Sequence, residues 1–214
     1  MSDLTGQAGA SPDCVCTEQQ SGLLGAPMSE KRKMISGEPY DASEAELYKE
    51  RMLAHDLCHA LSQVRPSDLE TKNEILRRLF PNAREGLFIT PPFFCDYGWN
   101  ITTGRHFYCN AGCVILDPAP VFIGDYVKFG PGVHIYTATH PVDPDERAAF
   151  IEFAKPVRIG DKVWVGGNVT ICPGVEIGEN TVIGAGSVVT KNIPANVIAA
   201  GNPCRVIKHI PQKS

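Results

Sequence analysis

The chain has 214 residues, 43% of them hydrophobic, with a formal net charge of −4. That length allows one folded core plus an extension, and the mild acidity without any basic run argues against nucleic acid or an anionic membrane surface as a partner. The longest apolar runs, such as Val197–Ala200, are far too short to span a bilayer, and residues 1–10 lack the basic-then-apolar pattern of a secretory signal, so a cytoplasmic protein is expected.

Residues 1–27 are rich in Ser, Gly, Gln and Pro and read as a disordered tail. Cys14 and Cys16 in that tail form only a C-x-C, with no second ligand pair nearby. The other six cysteines are scattered through apolar or turn contexts, which suits a reducing compartment. From Ser29 the pattern becomes helical, and 28–85 is read as an N-terminal helical module. Ser43 with Glu46 makes a capping box, and Leu47, Ala54, Leu57, Cys58 and Leu61 follow at near-helical spacing. Ser67 with Glu70 makes a second, followed by Leu69, Leu76, Leu79 and Phe80. The spacing predicts helices over 43–63 and 67–80, closed by Pro66 and Pro81. His55 and His59 stand one turn apart, but no third ligand is evident, so they read as packing or surface residues.

Beyond residue 86 a six-residue period takes over. Hexads begin at Val121, Val127 and Val133, then at Val157, Val163, Val169, Val175, Thr181 and Ser187. The residue two further on is apolar in every case, from Ile123 to Val189. Residues i and i+2 of a short strand share one side, so each hexad sends two side chains inward. The next residue is Gly at 124, 130, 160, 166, 178 and 184, which we read as a bend with positive φ. Three such strands close a triangular coil of 18 residues, and stacked coils bury one apolar column. A weaker, earlier phase fits Ile101, Phe107 and Cys113, offset by two residues from Val121. The segment 136–156 breaks the rule between two well-phased blocks and reads as an excursion loop. The fold class is therefore mainly β: a parallel β-helix over 86–210 behind a helical module.

Four segments carry a resemblance to a known family: KRKMISGEPYDASEAELY, PPFFCDYGWNITTGRHFYCNAGCVILD, YTATHPVDPDER and AGNPCRVIK. Together they resemble the maltose and galactoside O-acetyltransferases over about residues 28–210. The resemblance implies a left-handed β-helix, although parallel crossovers in general favour the right hand. It also implies homotrimers with sites between subunits, acetyl-CoA as co-substrate, a sugar hydroxyl as acceptor, and neither a tightly bound cofactor nor a metal.

The roles it implies fall on particular residues. His140, in Thr139-His140-Pro141, stands where the family has its general base. An imidazole can take a hydroxyl proton near neutral pH, and Pro141 restricts the His140 backbone. Asn110 matches a position that contacts the acceptor and assists the transition state. Asp41, Asp96 and Asp117 match or lie near acceptor positions; Asp96 replaces a Ser of the galactoside type, and Pro118 replaces a second Asp beside Asp117. Trp164, Gly167, Ala185, Thr190 and Lys191 match the strip along the pantetheine arm, and Arg205 and Lys208 would meet the adenosine phosphates. Other acceptors (serine, an antibiotic, a lipopolysaccharide sugar) fit the same scaffold, as would a non-catalytic one. A γ-type carbonic anhydrase would need H-x4-H, and His134 and His140 are six apart.

Overall fold

The computed structural model describes residues 28–148 and 151–211. The tail expected over 1–27, with Cys14 and Cys16, lies outside them. Among the described residues no helix is long and apolar enough to cross a membrane.

Three helices open the described chain. Helix α1, Glu30–Ser36, is capped by the Ser29 hydroxyl and closed by Gly37 at φ 79°. Helix α2, Ala45–Gln63, buries Leu47, Ala54, Leu57, Cys58 and Leu61, the residues its periodicity marks. Its cap is Glu44, not Ser43. The Asp41 carboxylate takes both the Ser43 hydroxyl (2.6 Å) and the Ser43 N–H (2.8 Å), so the expected box does not form. Helix α3, Leu69–Leu79, is likewise capped one residue later than expected, by Asp68, which accepts from the Thr71 N–H at 3.1 Å. Aspartate is at least as good a cap as serine. Leu69 then falls on the exposed side while Ile75, Leu76, Leu79 and Phe80 go inward.

The remainder is a β-helix with three flat faces. The first face stacks Phe88–Ile89, Tyr108–Cys109, Lys128–Phe129, Trp164–Val165, Val182–Ile183 and Val197–Ala200 in parallel, then Arg205–His209 antiparallel. The second stacks Phe93–Cys95, Cys113–Leu116, His134–Tyr136, Thr170–Ile171 and Val188–Val189. The third stacks Ile101–Thr103, Val121–Ile123, Val157–Ile159 and Glu176–Ile177. Every i and i+2 position of the hexads from Val121 to Val189 is buried, including Thr181 and Ser187. Those two hydroxyls are satisfied by the Pro194 carbonyl and the Gly201 N–H. The irregular phase around Ile101, Phe107 and Cys113 is also buried. A still earlier coil through Ile89, Phe93 and Cys95, not assigned from the hexads, keeps the six-residue step from Ile89 to Cys95 and joins the same core.

The glycine reading needs correction. Gly124, Gly130, Gly160, Gly166, Gly178 and Gly184 do not have positive φ; in these hexads that conformation falls two residues later, at Tyr126, Gly132, Lys162, Asn168, Asn180 and Gly186. The hexad glycines answer a different constraint. A Cβ at Gly130, Gly160 or Gly166 would stand 2.6 Å from a backbone nitrogen of the next coil. Coils joined by ladder bonds lie about 4.8 Å apart, and at these glycine positions the backbone of the next coil leaves no room for a side chain.

After Thr137, whose hydroxyl bonds the Leu116 carbonyl (2.9 Å), the chain leaves the corner between the second and third faces. It runs through Ala138–Thr139, helix α4 (Pro144–Ala148) and Ile151–Ala154 before the coil resumes at Val157, paired with Val121. Ile151–Ala154 pairs antiparallel with Ala138–Thr139 on one side and with Tyr40–Asp41 on the other. The excursion is thereby tied to the N-terminal segment.

If the corner glycines serve coil spacing, Gly160→Ala should lower stability by roughly 1–3 kcal/mol. Thermal unfolding should show a Tm lower by about 2–4 °C per kcal/mol for a domain of this size. An unchanged Tm would mean that coil spacing does not restrict this position.

Candidate active site

Two corners of the prism carry the chemistry-bearing residues. The corner between the second and third faces holds His140, Asp96, Asp117, Thr190 and Lys191. The corner between the first and second faces holds Asn110, Gly167 and Ala185.

His140 follows Thr139 at the end of its short strand and is exposed. Its Nδ1 lies 3.3 Å from the Ile151 carbonyl oxygen. A carbonyl only accepts, so Nδ1 is the donor of this contact and Nε2 is the ring nitrogen it leaves available. The partner strand also supplies Glu152, which accepts from the Tyr40 hydroxyl at 2.9 Å. Tyr40, Asp41, Arg51, Lys33, Ile151 and Glu152 line a cleft beside this strand. Arg51 is held by the Ala42 carbonyl and the Tyr97 hydroxyl, each at 3.3 Å. The Asp41 carboxyl is held below its ordinary value by its bonds to Ser43. Asp96 lies 3.8 Å from His55 Nε2. Burial pushes its carboxyl up to about 6, with the Arg51 charge pulling the other way. Arg51, Tyr97 and Glu152 carry no motif of their own. Arg51 follows the helical pattern of α2 and Glu152 sits in the unphased excursion, so only their place in the fold marks them.

Asp117 departs from expectation. It is fully buried, and its carboxylate accepts from the N–H groups of Asp96 (3.0 Å), Tyr97 (2.9 Å) and Gly98 (2.8 Å). Burial raises it to about 7 against those three bonds, which favour the ionised form. The Asp117 side chain therefore does not line the cleft; it shapes the turn that presents Asp96.

Asn110 stands a full face away from His140. It precedes Cys113–Leu116, whereas His140 follows His134–Tyr136 one coil on. Its Oδ1 accepts the Ala111 N–H at 2.8 Å, leaving the amide NH2 to donate. Asn110 heads a corner column that continues as Gly130, Gly166 and Gly184 through the ladder bonds of their N–H groups to Phe129, Val165, Ile183 and Ala199. The neighbouring column is Ala111, Pro131, Gly167 and Ala185. Small residues thus pave this corner. Ala200, next to Gly184, pairs with Arg205, so Arg205 stands at the foot of the column. From Asn110 to that level is about 19 Å at roughly 4.8 Å per coil. Lys208 lies opposite Ile198 on the first face, where Trp164 points outward and is 56% exposed. One chain therefore gathers His140, Thr190 and Lys191 on one corner, and Asn110, Gly167, Ala185 and Arg205 on another.

Comparison with known proteins agrees with this architecture. A maltose acetyltransferase hexapeptide capping motif matches residues 33–83, and a bacterial transferase hexapeptide model of six repeats matches 156–191. A Saccharomyces cerevisiae protein named as an acetyltransferase is 48% identical over 84% of this chain and 92% of its own length. The structure of a maltose O-acetyltransferase from Clostridium difficile 630 is 47% identical, with TM-score 0.84 over 86% of this chain and 99% of that one. A galactoside acetyltransferase in complex with coenzyme A is 38% identical, with TM-score 0.83 over 86% of this chain and 92% of that one.

Replacing Asp117 with Ala would leave three backbone N–H groups without their acceptor, at a cost on the order of 3 kcal/mol or more. Differential scanning calorimetry of Asp117→Ala should show a Tm lower by roughly 5–10 °C. A Tm equal to that of the parent, with only an acceptor KM raised, would return Asp117 to the acceptor pocket.

Proposed function

The chain belongs to the maltose/galactoside O-acetyltransferase family of hexapeptide-repeat acetyltransferases, and from that premise we propose that it moves the acetyl group of acetyl-CoA to a hydroxyl of a small sugar of maltose, glucose or galactoside type, in a ternary complex with His140 as general base. The observation that carries this reading is the Nδ1 contact of His140 to the carbonyl of Ile151, a residue that itself lines the cleft with Tyr40, Asp41, Arg51 and Glu152. A sugar hydroxyl is a very weak acid, so it needs a base as it attacks the thioester carbonyl. Nε2 takes the proton as the new C–O bond forms. The tetrahedral oxyanion then collapses, the C–S bond breaks, and the departing CoA thiolate recovers the proton from the imidazolium. The Asn110 NH2 donates to the oxyanion. Asp41 and Asp96 offer acceptor contacts to sugar hydroxyls at the cleft.

A base and an oxyanion donor on different corners can serve one reaction only if two copies of the chain meet. The outward side chains support that assembly. The first face presents Phe88, Tyr108 and Trp164 with a single charge at Lys128, and the second presents Phe94, Val114, His134 and Val188. The third presents Thr102 and Phe122 with the ion pair of Arg158 and Glu176, which lie 3.8 Å apart, Arg158 also covering the Phe122 ring. The first two faces carry fewer charges than the third, which suits their burial against neighbours in a homotrimer about an axis parallel to the β-helix. The His140 corner of one subunit then faces the small-residue corner of the next. Thr190 and Lys191 line one wall of the channel between them, and Trp164, Gly167 and Ala185 line the other. Arg205 and Lys208 at its foot meet the phosphates of CoA. The six described cysteines are free thiols, in keeping with a cytoplasmic site of action.

His140→Ala should fold normally, because the side chain is exposed and leaves no cavity. Its kcat, followed by thiol release from acetyl-CoA over a panel of sugar acceptors, should fall roughly 10²–10⁴-fold. Near-parental turnover with any acceptor of the panel would remove His140 from the mechanism. A panel in which only serine or an aminoglycoside is acetylated would replace the acceptor class.

A further inference from the structure

We propose that Tyr40 and Glu152 form a latch through which the N-terminal module positions the His140 imidazole, so that Glu152 is a positioning residue for the acetyl transfer. The proposal rests on the reading of His140 as the base.

The geometry is a three-stranded patch in which the excursion strand Ile151–Ala154 lies in the middle. On one side Tyr40 is opposite Glu152 and Asp41 opposite Ile151. On the other, Ala138 is opposite Ala154 and Thr139 opposite Phe153, so the next position in register, His140, falls opposite Glu152. Tyr40, Glu152 and His140 thus form one row across the patch. The atom that orients the imidazole, the Ile151 carbonyl oxygen, belongs to the peptide unit that leads into Glu152. Fixing the Glu152 side chain therefore fixes the acceptor of the His140 Nδ1 proton.

The excursion alone would hold that carbonyl weakly. It leaves the ladder at Thr137 and returns only at Val157, and Ala138–Thr139 pairs with it over two residues. The Tyr40 side supplies the anchor. Tyr40 is 4% exposed and packs in a cluster with Met34, Leu47 and Tyr97. Burial, followed by the Glu152 charge, raises the Tyr40 hydroxyl well above its ordinary range, so it stays a donor. The Tyr40–Glu152 bond spans 112 residues of sequence. It is a side-chain bond that links the helical module to the excursion bearing the base.

Three variants of the intact protein separate this role from simple packing. Tyr40→Phe keeps the buried ring and removes only the hydroxyl. Glu152→Ala removes the acceptor, and Glu152→Gln keeps an amide oxygen to accept. Tyr40→Phe and Glu152→Ala should each lower kcat about ten-fold, the scale of a small misplacement of a catalytic group. The KM for acetyl-CoA should stay within about two-fold, since the channel is untouched. Glu152→Gln should keep most of the parental kcat. On a His140→Ala background Tyr40→Phe should add no further loss. Independently of any acceptor, the 15N spectrum of histidine-labelled protein should show the His140 Nδ1–H tautomer in the parent and a tautomer mixture in Tyr40→Phe. Unchanged kcat and an unchanged tautomer in Tyr40→Phe and Glu152→Ala would overturn the latch even if His140→Ala is inactive. A loss in Glu152→Gln as deep as in Glu152→Ala would overturn it in favour of a charge effect, and a raised acceptor KM at full kcat would make Glu152 a direct acceptor contact. An active His140→Ala would instead defeat the reading beneath it.

Discussion

Everything in this molecule hangs on the spacing between coils. Parallel ladder bonds such as Gly130 N–H to Val165 O (2.8 Å) and Gly166 N–H to Ile183 O (2.8 Å) draw successive coils together at the corners. At that distance a Cβ collides with the backbone below, which is why glycine recurs at the same hexad position. The same spacing strips two adjoining columns of one corner to Gly, Ala and Pro below Asn110. A scaffolding rule thereby creates a smooth, backbone-lined strip suited to a narrow, extended ligand. The continuous core of Val, Ile and Phe then holds that strip rigid.

Function enters where the rule is broken. The excursion after Thr137 escapes the ladder, and it is the part that carries His140. A segment freed from coil spacing can hold polar and charged side chains, but it loses the ladder that would fix them. The structure compensates with two-residue pairings to Ala138–Thr139 and Tyr40–Asp41 and with side-chain bonds that reach across the sequence. The same economy operates at Asp117. One buried carboxylate gathers the three N–H groups of Asp96, Tyr97 and Gly98 and so fixes the turn that carries Asp96. Rigid coils supply the Asn110 wall, and a tethered loop supplies the proposed base.

The periodic part of this arrangement is legible in the sequence. The hexads from Val121 onward give the core column residue by residue, because an inward side chain at i and i+2 admits only apolar or small groups. The capped helices are legible to within a residue or two; Ser43 and Ser67 lose the cap to Glu44 and Asp68 because a neighbouring carboxylate competes for the same N–H groups. The hexad glycines are visible, but their cause is not, since contact with a residue sixteen or more positions away leaves no local trace. The first coil through Ile89, Phe93 and Cys95 keeps the six-residue step but carries none of the Val and Gly that mark the later hexads, so it is missed. The site is legible only as a set of residues. That His140 and Asn110 occupy different corners follows from counting faces, which requires the coil phase to be known. That Arg51 and Glu152 join the cleft, that buried Tyr97 backs Arg51, and that Asp117 does not line it, depends on packing between elements far apart in the chain.

The central claim is that one catalytic unit is built from the His140 corner of one copy and the Asn110 corner of another. Mixing subunits tests it directly. His140→Ala and Asn110→Ala proteins, each of low activity, are dissociated together, reassembled, and assayed by thiol release from acetyl-CoA. In a mixed assembly some interfaces pair an intact His140 with an intact Asn110, so turnover should rise well above that of either parent reassembled alone. Mixed assemblies, verified by mass, that show no more activity than the two variants separately would contradict a shared site and place both residues in a unit formed by a single chain.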